Sequence, residues 1–227
     1  RSALRALEGV MARPRKEDAR DLRGLAIEAS IALLADRDQP ELSMAEVARR
    51  IGCSAPALYQ HFTDRDDLLD AVRRAVIDRV IARKQQRYDR PDIHPLRNLA
   101  EGGHAYLSNA AKAPALYRLI YCRPPSSGAP ADAISDGALE ALTRGVRACQ
   151  AEGLATQQDP RELARLLWSM VHGAALLALD SAQDQRAAAW EQAHRSVDLA
   201  IALIAAPAPR AHGEPDETDT PTRGPDK

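Results

Sequence analysis

Aromatic side chains are scarce in this chain: 4% of 227 residues, with a single Phe. Strands draw on aromatic and β-branched residues, so an all-β sandwich or a large α/β enzyme fits poorly. Cysteine is equally thin. Cys53, Cys122 and Cys149 form no CxxC pair and leave one odd. That speaks against a disulfide framework and for a reducing, cytoplasmic setting. A charge excess of one sign is also missing, since 31 basic residues face 32 acidic ones for a net charge of −1. A wholly basic nucleic-acid coat is thereby excluded, while a local basic footprint is not. The longest strongly apolar run, 166–179, spans 14 residues and contains Ser169 and His172. A membrane span needs roughly 20, so no membrane partner is expected. No secretory pattern opens the sequence. Arg1 precedes Met11, which leaves open whether residues 1–10 belong to the native chain.

What the chain does have is alanine, 44 residues of it, together with Leu, Arg, Glu and Gln. These are the strongest helix formers, so the predicted class is all-α. Apolar residues recur with helical spacing. A helix near 18–36 carries Leu22, Leu25, Ala29 and Leu33 on one face. One near 43–50 opens on Ser43 with Glu46 at capping-box spacing. It groups Met44, Val47, Ala48 and Ile51 and stops at Gly52. A short helix follows Ser54, with Pro56 in its first turn. Another starts near Asp66, with Leu69, Val72, Val76 and Val80 as its stripe. The second half predicts helices near 96–111, 114–121, 132–152, 160–180 and 187–205, with Asp159-Pro160 as a start signal. Segment 122–130 reads as a loop. Residues 207–227 hold five Pro and almost no large apolar side chain, the composition of a disordered tail. The predicted division is a flexible arm over 1–17, a helix-turn-helix domain over 18–65, a helical ligand-binding and dimerisation domain over 66–206, and the tail.

The densest signal lies at 43–69, SMAEVARRIGCSAPALYQHFTDRDDLL. A short helix, a Gly-containing turn, a second short helix and a new helix make a helix-turn-helix, whose second helix enters the major groove. By spacing alone, two short helices of an ordinary bundle read equally well. The residues Val47-Ala48, Ile51-Gly52-Cys53-Ser54, Leu58-Tyr59, His61-Phe62, Arg65 and Leu68 or Leu69 decide between them. In this pattern the segment resembles the TetR family of bacterial transcriptional regulators, over about residues 18–75. The resemblance implies that Phe62 packs against the first helix. Ser43 would bond a phosphate or cap its own helix. Ser54, Ala55, Pro56 and Ala57 would face the DNA, the small apolar surfaces meeting thymine methyl groups. Gln60 would read an adenine or stand as a solvated surface residue. Tyr59 and His61 would grip phosphates. Arg65 stands where Lys is commoner, with the same charge and a forked donor set. Cys53 replaces the usual Val and is read as packing only. Arg13, Arg15 and Lys16 either reach the minor groove or form a solvated arm. The basic run over 71–97 reads as a solvated face.

Further along, LLWSMVHGAALLAL carries a W-x-x-x-H-G spacing through Trp168, His172 and Gly173. It is similar to the TetR-family C-terminal domain type named after those residues, and PALYRLIY at 114–121 matches the short helix preceding it. Trp168 and His172 share a helix face, as walls of a ligand pocket or as core. His104, Tyr106, Tyr117, Tyr121 and Met170 join them as pocket candidates under the same two readings. Gly173 is read as permitting close helix approach, and Gly102-Gly103 as a helix start or kink. Neither HExxH, GxSxG, a P-loop nor a dinucleotide fingerprint occurs, and no His, Cys and carboxylate set has metal-ligand spacing. No enzyme, cofactor or metal is therefore expected. The helix at 160–180 is apolar nearly all round, and with the last helix it offers more apolar surface than one small bundle covers. A dimer interface is the economical explanation. The resulting expectation is a homodimeric repressor that binds a pseudopalindromic operator as double-stranded DNA and is released by a small-molecule effector. The alternative is a helical ligand-binding protein or enzyme without operator binding.

Overall fold

The computed structural model describes residues 21–90, 92–122 and 132–206. The expected arm over 1–17, the tail over 207–227 and most of the 122–130 loop lie outside them. Among the described residues the chain forms helices and no strand. In order these are α1 (Leu22–Ala35), α2 (Met44–Ile51), α3 (Ala55–Leu58), α4 (Arg65–Tyr88), α5 (Pro95–Lys112), α6 (Pro114–Tyr121), α7 (Asp132–Ala151), α8 (Pro160–Leu179) and α9 (Arg186–Ile204).

Local chemistry explains the boundaries in the first half. Ser43 Oγ accepts from the Glu46 backbone N–H at 3.2 Å, capping α2. The reciprocal arm of the expected capping box is not made, because the Glu46 carboxylate is drawn to Arg37. Gly52 ends α2 at φ 73°, a left-handed conformation that glycine adopts without a Cβ penalty. At α4 the side chains of both the N-cap Asp64 and Asp67 accept backbone N–H groups. Asp64 Oδ1 accepts from the Asp67 N–H at 2.8 Å, and Asp67 Oδ2 accepts from the Thr63 N–H at 2.9 Å.

Helices α1 to α3 close over a core that also takes in the start of α4 and one side of α6. Val47, Leu58, Phe62, Leu68, Leu69 and Val72 are almost wholly excluded from solvent, and Ala115 and Leu119 of α6 join them. Phe62 carries the Arg23 guanidinium of α1 over its ring, 5.3 Å from the centroid. The expected buried face of α1 needs correcting. Leu25 is 46% exposed, and the buried row is Ala26, Ile27, Ala29, Ser30 and Leu34. Small residues at 26 and 30 let α2, α4 and α6 approach, and Ser30 satisfies its hydroxyl on the Ala26 carbonyl at 2.7 Å.

In the second half α8 packs on α5, α7 and α9. Two glycines of α5 have a different role from the one expected. The helix neither starts nor breaks at Gly102-Gly103. A Cβ at Gly103 would lie 2.7 Å from Val197 Cγ1 of α9, and one at Gly102 would lie 2.8 Å from the Tyr88 hydroxyl. Gly173 is the reverse case, for a Cβ there would meet nothing within 4 Å among the described residues. The apolar run judged too short for a membrane lies in a 20-residue helix, α8. By length and composition alone α8 could cross one. One side of it, Leu163, Ala164, Leu167, Val171, Ala175, Ala178 and Leu179, is buried in the protein. Its other side leaves Leu166 and Leu177 exposed, as α9 leaves Leu199 and Leu203.

These burial differences set a stability contrast. Phe62→Ala should cost about 3–5 kcal/mol, the range for truncating a buried aromatic, whereas Leu25→Ala should stay within about 0.5 kcal/mol. Urea unfolding of both variants checks the pair, and comparable losses would mean that α1 is rotated from the orientation described.

Candidate functional site

Two regions of the molecule concentrate chemistry that the core does not require. The first is the outer side of α3. Regular helix covers only four residues there, but Tyr59 N–H donates to the Ala55 carbonyl at 3.3 Å and His61 N–H to the Leu58 carbonyl at 2.9 Å. Helical turns thus continue to Phe62. Leu58 and Phe62 anchor the inner side, so their neighbours must face outward: Ser54, Pro56, Tyr59 and Gln60 are exposed, with Tyr59 at 54%. Ala55, Ala57 and His61 are half-buried, Ser43 is exposed at the α2 cap, and Cys53 packs against the core. Arg65, in the first turn of α4, holds Asp66 through Nε and Nη2 at 3.2 Å. Such an exposed pair is worth well under about 1 kcal/mol, so the guanidinium can exchange partners. The last turn of α2 adds exposed Arg49 and Arg50. Sequence reasoning missed them, although two adjacent cations at a helix C-terminus were there to be read.

The second region is a cavity of about 690 Å³ between α4, α5 and α6. Of the residues expected at a pocket, Tyr106, Tyr117 and Tyr121 line it. Trp168 and His172 stand behind that wall on α8. Tyr106 donates its hydroxyl to Tyr117 at 3.1 Å, and His172 Nδ1 is hydrogen-bonded to the hydroxyls of Tyr117 at 2.7 Å and Tyr106 at 3.0 Å. Trp168 stacks on the same imidazole with 5.1 Å between centroids. Met170 joins a core cluster drawn from α4, α5, α7, α8 and α9 and is not among the residues that line the cavity. His104 is a correction. It lies two residues from Tyr106, on another side of α5, and pairs with α9: His194 Nδ1 at 2.8 Å and Asp198 Oδ1 at 3.0 Å.

Except for Lys112, the cavity's cations come from a stretch expected to be a solvated face. Arg83, Lys84, Arg87 and Arg90 all line it, and Arg73 is buried, donating to the Ile120 carbonyl at 2.8 Å. Lys84 and Arg87 are half-buried while Arg83, Arg90 and Lys112 are exposed, and the Lys84 ammonium lies 5.7 Å from the Tyr106 ring centroid. Burial pushes its pKa down to about 8. Burial also pushes the three tyrosines up and His172 down, so the aromatic wall is uncharged at neutral pH. The spacing Val76, Val80, Lys84 was visible in the sequence, but the sequence alone could not say that α5 and α6 would roof it. Among the described residues no group of His, Cys and carboxylates is placed to hold a metal ion.

A capped helix, a glycine turn and an outward-facing second helix, joined to a helical domain with an internal cavity, define a helix-turn-helix protein with a second, ligand-sized compartment. Family models agree in both halves. Bacterial regulatory proteins of the tetR family match residues 26–72, and the tetracyclin repressor-like C-terminal domain matches residues 99–203. The chain belongs to the TetR family of helix-turn-helix transcriptional regulators. No curated protein matches it. Among solved structures, a TetR-family regulator from Pectobacterium atrosepticum superposes with a TM-score of 0.66 at 23% identity, covering 82% of this chain and 95% of that one. A protein of unknown function from Rhodococcus sp. RHA1 gives 0.63 at 25% identity, covering 81% and 95%. SmeT, the repressor of the Stenotrophomonas maltophilia multidrug efflux pump SmeDEF, gives 0.63 at 16% identity, covering 84% and 93%. SmeT in complex with triclosan gives 0.62 at 17%, covering 90% and 97%.

Lys84 yields a pH prediction. At pH 7 its amine is charged both folded and unfolded, and only the folded state bears the desolvation. Above pH 8 the folded amine loses its proton while the unfolded one, with an ordinary value near 10.4, keeps it, so the penalty fades as pH rises. Lys84→Met should therefore melt above the parent at pH 7, with the gap narrowing by pH 9.5. Thermal scans at both values check this, and a gap that widens would contradict the assigned burial.

Proposed function

We propose that this regulator is a cytoplasmic homodimeric repressor that binds a pseudopalindromic operator and is released by a small-molecule effector. The observation that carries the reading is the outward face of α3, where Tyr59 and Gln60 stand exposed beside Ser54 and Pro56 while Leu58 and Phe62 are buried. In this reading Ala55, Pro56 and Ala57 approach thymine methyl groups and Gln60 pairs with an adenine edge. Ser43, Tyr59, His61 and Arg65 hold phosphates, which set register without sequence information.

Dimerisation is supported by Leu166 and Leu177 on α8 and Leu199 and Leu203 on α9, all at least 48% exposed. The space beside Gly173 would let a second copy of α8 come close. Effector release is supported by the cavity and by the placement of α6. Leu116 and Ile120 line the cavity, Ala115 and Leu119 sit in the DNA-binding domain's core, and the Ala115 N–H donates to the Arg37 carbonyl at 3.0 Å. A molecule that shifts α6 acts on the seat of α1 and α2 as well. Such a ligand moves the equilibrium only by its differential affinity for the two arrangements. SmeT, with its triclosan complex, lends the scheme a precedent of fold. In this scheme the protein performs no catalysis.

Selection of duplexes from a random pool with the full chain tests the reading. The selected duplex should be a near-palindrome bound with a steep salt dependence. Tyr59→Ala should weaken binding to every duplex, and Gln60→Ala should relax preference at one base pair. Absence of duplex binding at low salt would favour a helical ligand-binding protein or enzyme instead. A second prediction concerns assembly: Leu177→Glu combined with Leu203→Glu should yield monomers by sedimentation, and an unaltered dimer would place the interface elsewhere.

A further inference from the structure

The cavity between α4, α5 and α6 has a division of chemistry that narrows what can occupy it. Val76, Val80, Ile93, Leu116 and Ile120 provide apolar wall. Against them stand Arg83, Lys84, Arg87, Arg90 and Lys112, with Glu101 as the one carboxylate among the lining residues. Glu101 is already committed, to Arg97 at 2.8 Å and Arg87 at 3.6 Å. Arg90 is likewise held by Asp92 at 2.6 Å. Arg83, Lys84 and Lys112 are left without an ion pair among the described residues.

Lys84 is the informative member of this set. Arg83, Arg90 and Lys112 are exposed and can turn to water, and half-buried Arg87 has Glu101, but half-buried Lys84 has the Tyr106 ring, a weaker substitute for hydration. Among the described residues no tyrosine hydroxyl accepts a hydrogen bond from Lys84, and the ring contact is what its ammonium has. Desolvating an ammonium without an anionic partner is costly, and a bound anion would remove that cost. A cationic ligand would find no free carboxylate in the lining and would add repulsion to an existing excess of positive charge. A neutral one would fill the apolar space but leave Lys84 as it is.

We propose that the effector of this cavity is an amphipathic monoanion, an organic acid whose carboxylate meets Lys84 while its apolar body lies along α4 and α6. This deepens the effector reading above and rests on it for the regulatory consequence. The chemical class stands apart from that consequence. Charge-assisted hydrogen bonds from an ammonium to a carboxylate are about twice as strong as neutral ones, so the anion should be preferred clearly over isosteres of equal length.

Isothermal titration of the full chain with octanoate, 1-octanol and octyltrimethylammonium tests the class directly. Octanoate should bind at least tenfold more tightly than either isostere. Lys84→Met should bring octanoate down to the level of octanol while leaving octanol binding in place, which shows that the variant is folded. Lys84→Arg should retain the preference for the acid. Equal affinities for the three probes in the parent, a preference that survives in Lys84→Met, or no binding of any probe would overturn the assignment. The release scheme is judged separately, by the affinity for the selected duplex with and without octanoate. An unchanged duplex affinity alongside tight octanoate binding would refute release by this acid and leave the anion assignment standing.

Discussion

Everything in this molecule turns on the double burial of α6. Eight residues long, it cannot be stable by itself. It persists because its sides are claimed by different neighbours. Ala115 and Leu119 complete the core beneath the helix-turn-helix, while Tyr117, Ile120 and Tyr121 wall the cavity. Polar ties pin it at several points: Arg73 on the Ile120 carbonyl, Arg37 through the Ala115 N–H, and Arg118 on Asp180 at the end of α8. Packed interiors respond to displacement as units. In the proposed scheme, a helix held in this way would carry a change at the cavity to the helix-turn-helix half without any flexible linker.

The two halves spend polarity differently. Around α3 the chain keeps its donors exposed and lightly engaged, so they can exchange an exposed intramolecular partner for a phosphate at little cost. Around the cavity the polar groups are drawn into a closed hydrogen-bond series from Tyr106 to His172. Lys84 differs from both, being half-buried with no ion pair among the described residues, and the contrast is what makes it diagnostic. The chain's net charge of −1 conceals both arrangements, because a sum over 227 residues says nothing about where charges sit.

Helix positions were legible at the level of single residues. Ser43, Gly52, Pro56 and Pro160 act locally, through backbone N–H groups, a left-handed φ or a missing donor, and the chain's own order reveals such effects. The outward face of α3 was legible for a similar reason, since the spacing of Leu58 and Phe62 decides which neighbours point away. The face of α1 was not. Leu25 looked like core by hydrophobicity, but α2, α4 and α6 come so close that Ala26 and Ser30 take the inside instead. His104 and Tyr106 were alike as candidates, yet their difference in angle about α5 sends one to α9 and the other to the cavity.

By itself, then, the sequence determined an all-helical chain, the ends of its helices, and a helix-turn-helix whose motif resembles one family of regulators. Each of these depends on interactions within a few residues, for which order along the chain is sufficient information. Tertiary structure alone decided that Gly103 seats Val197, that the cations of α4 border a cavity, and that Trp168 and His172 stand behind its aromatic wall. These features arise from side chains far apart in sequence, and which of them meet is set by how helices pack against one another.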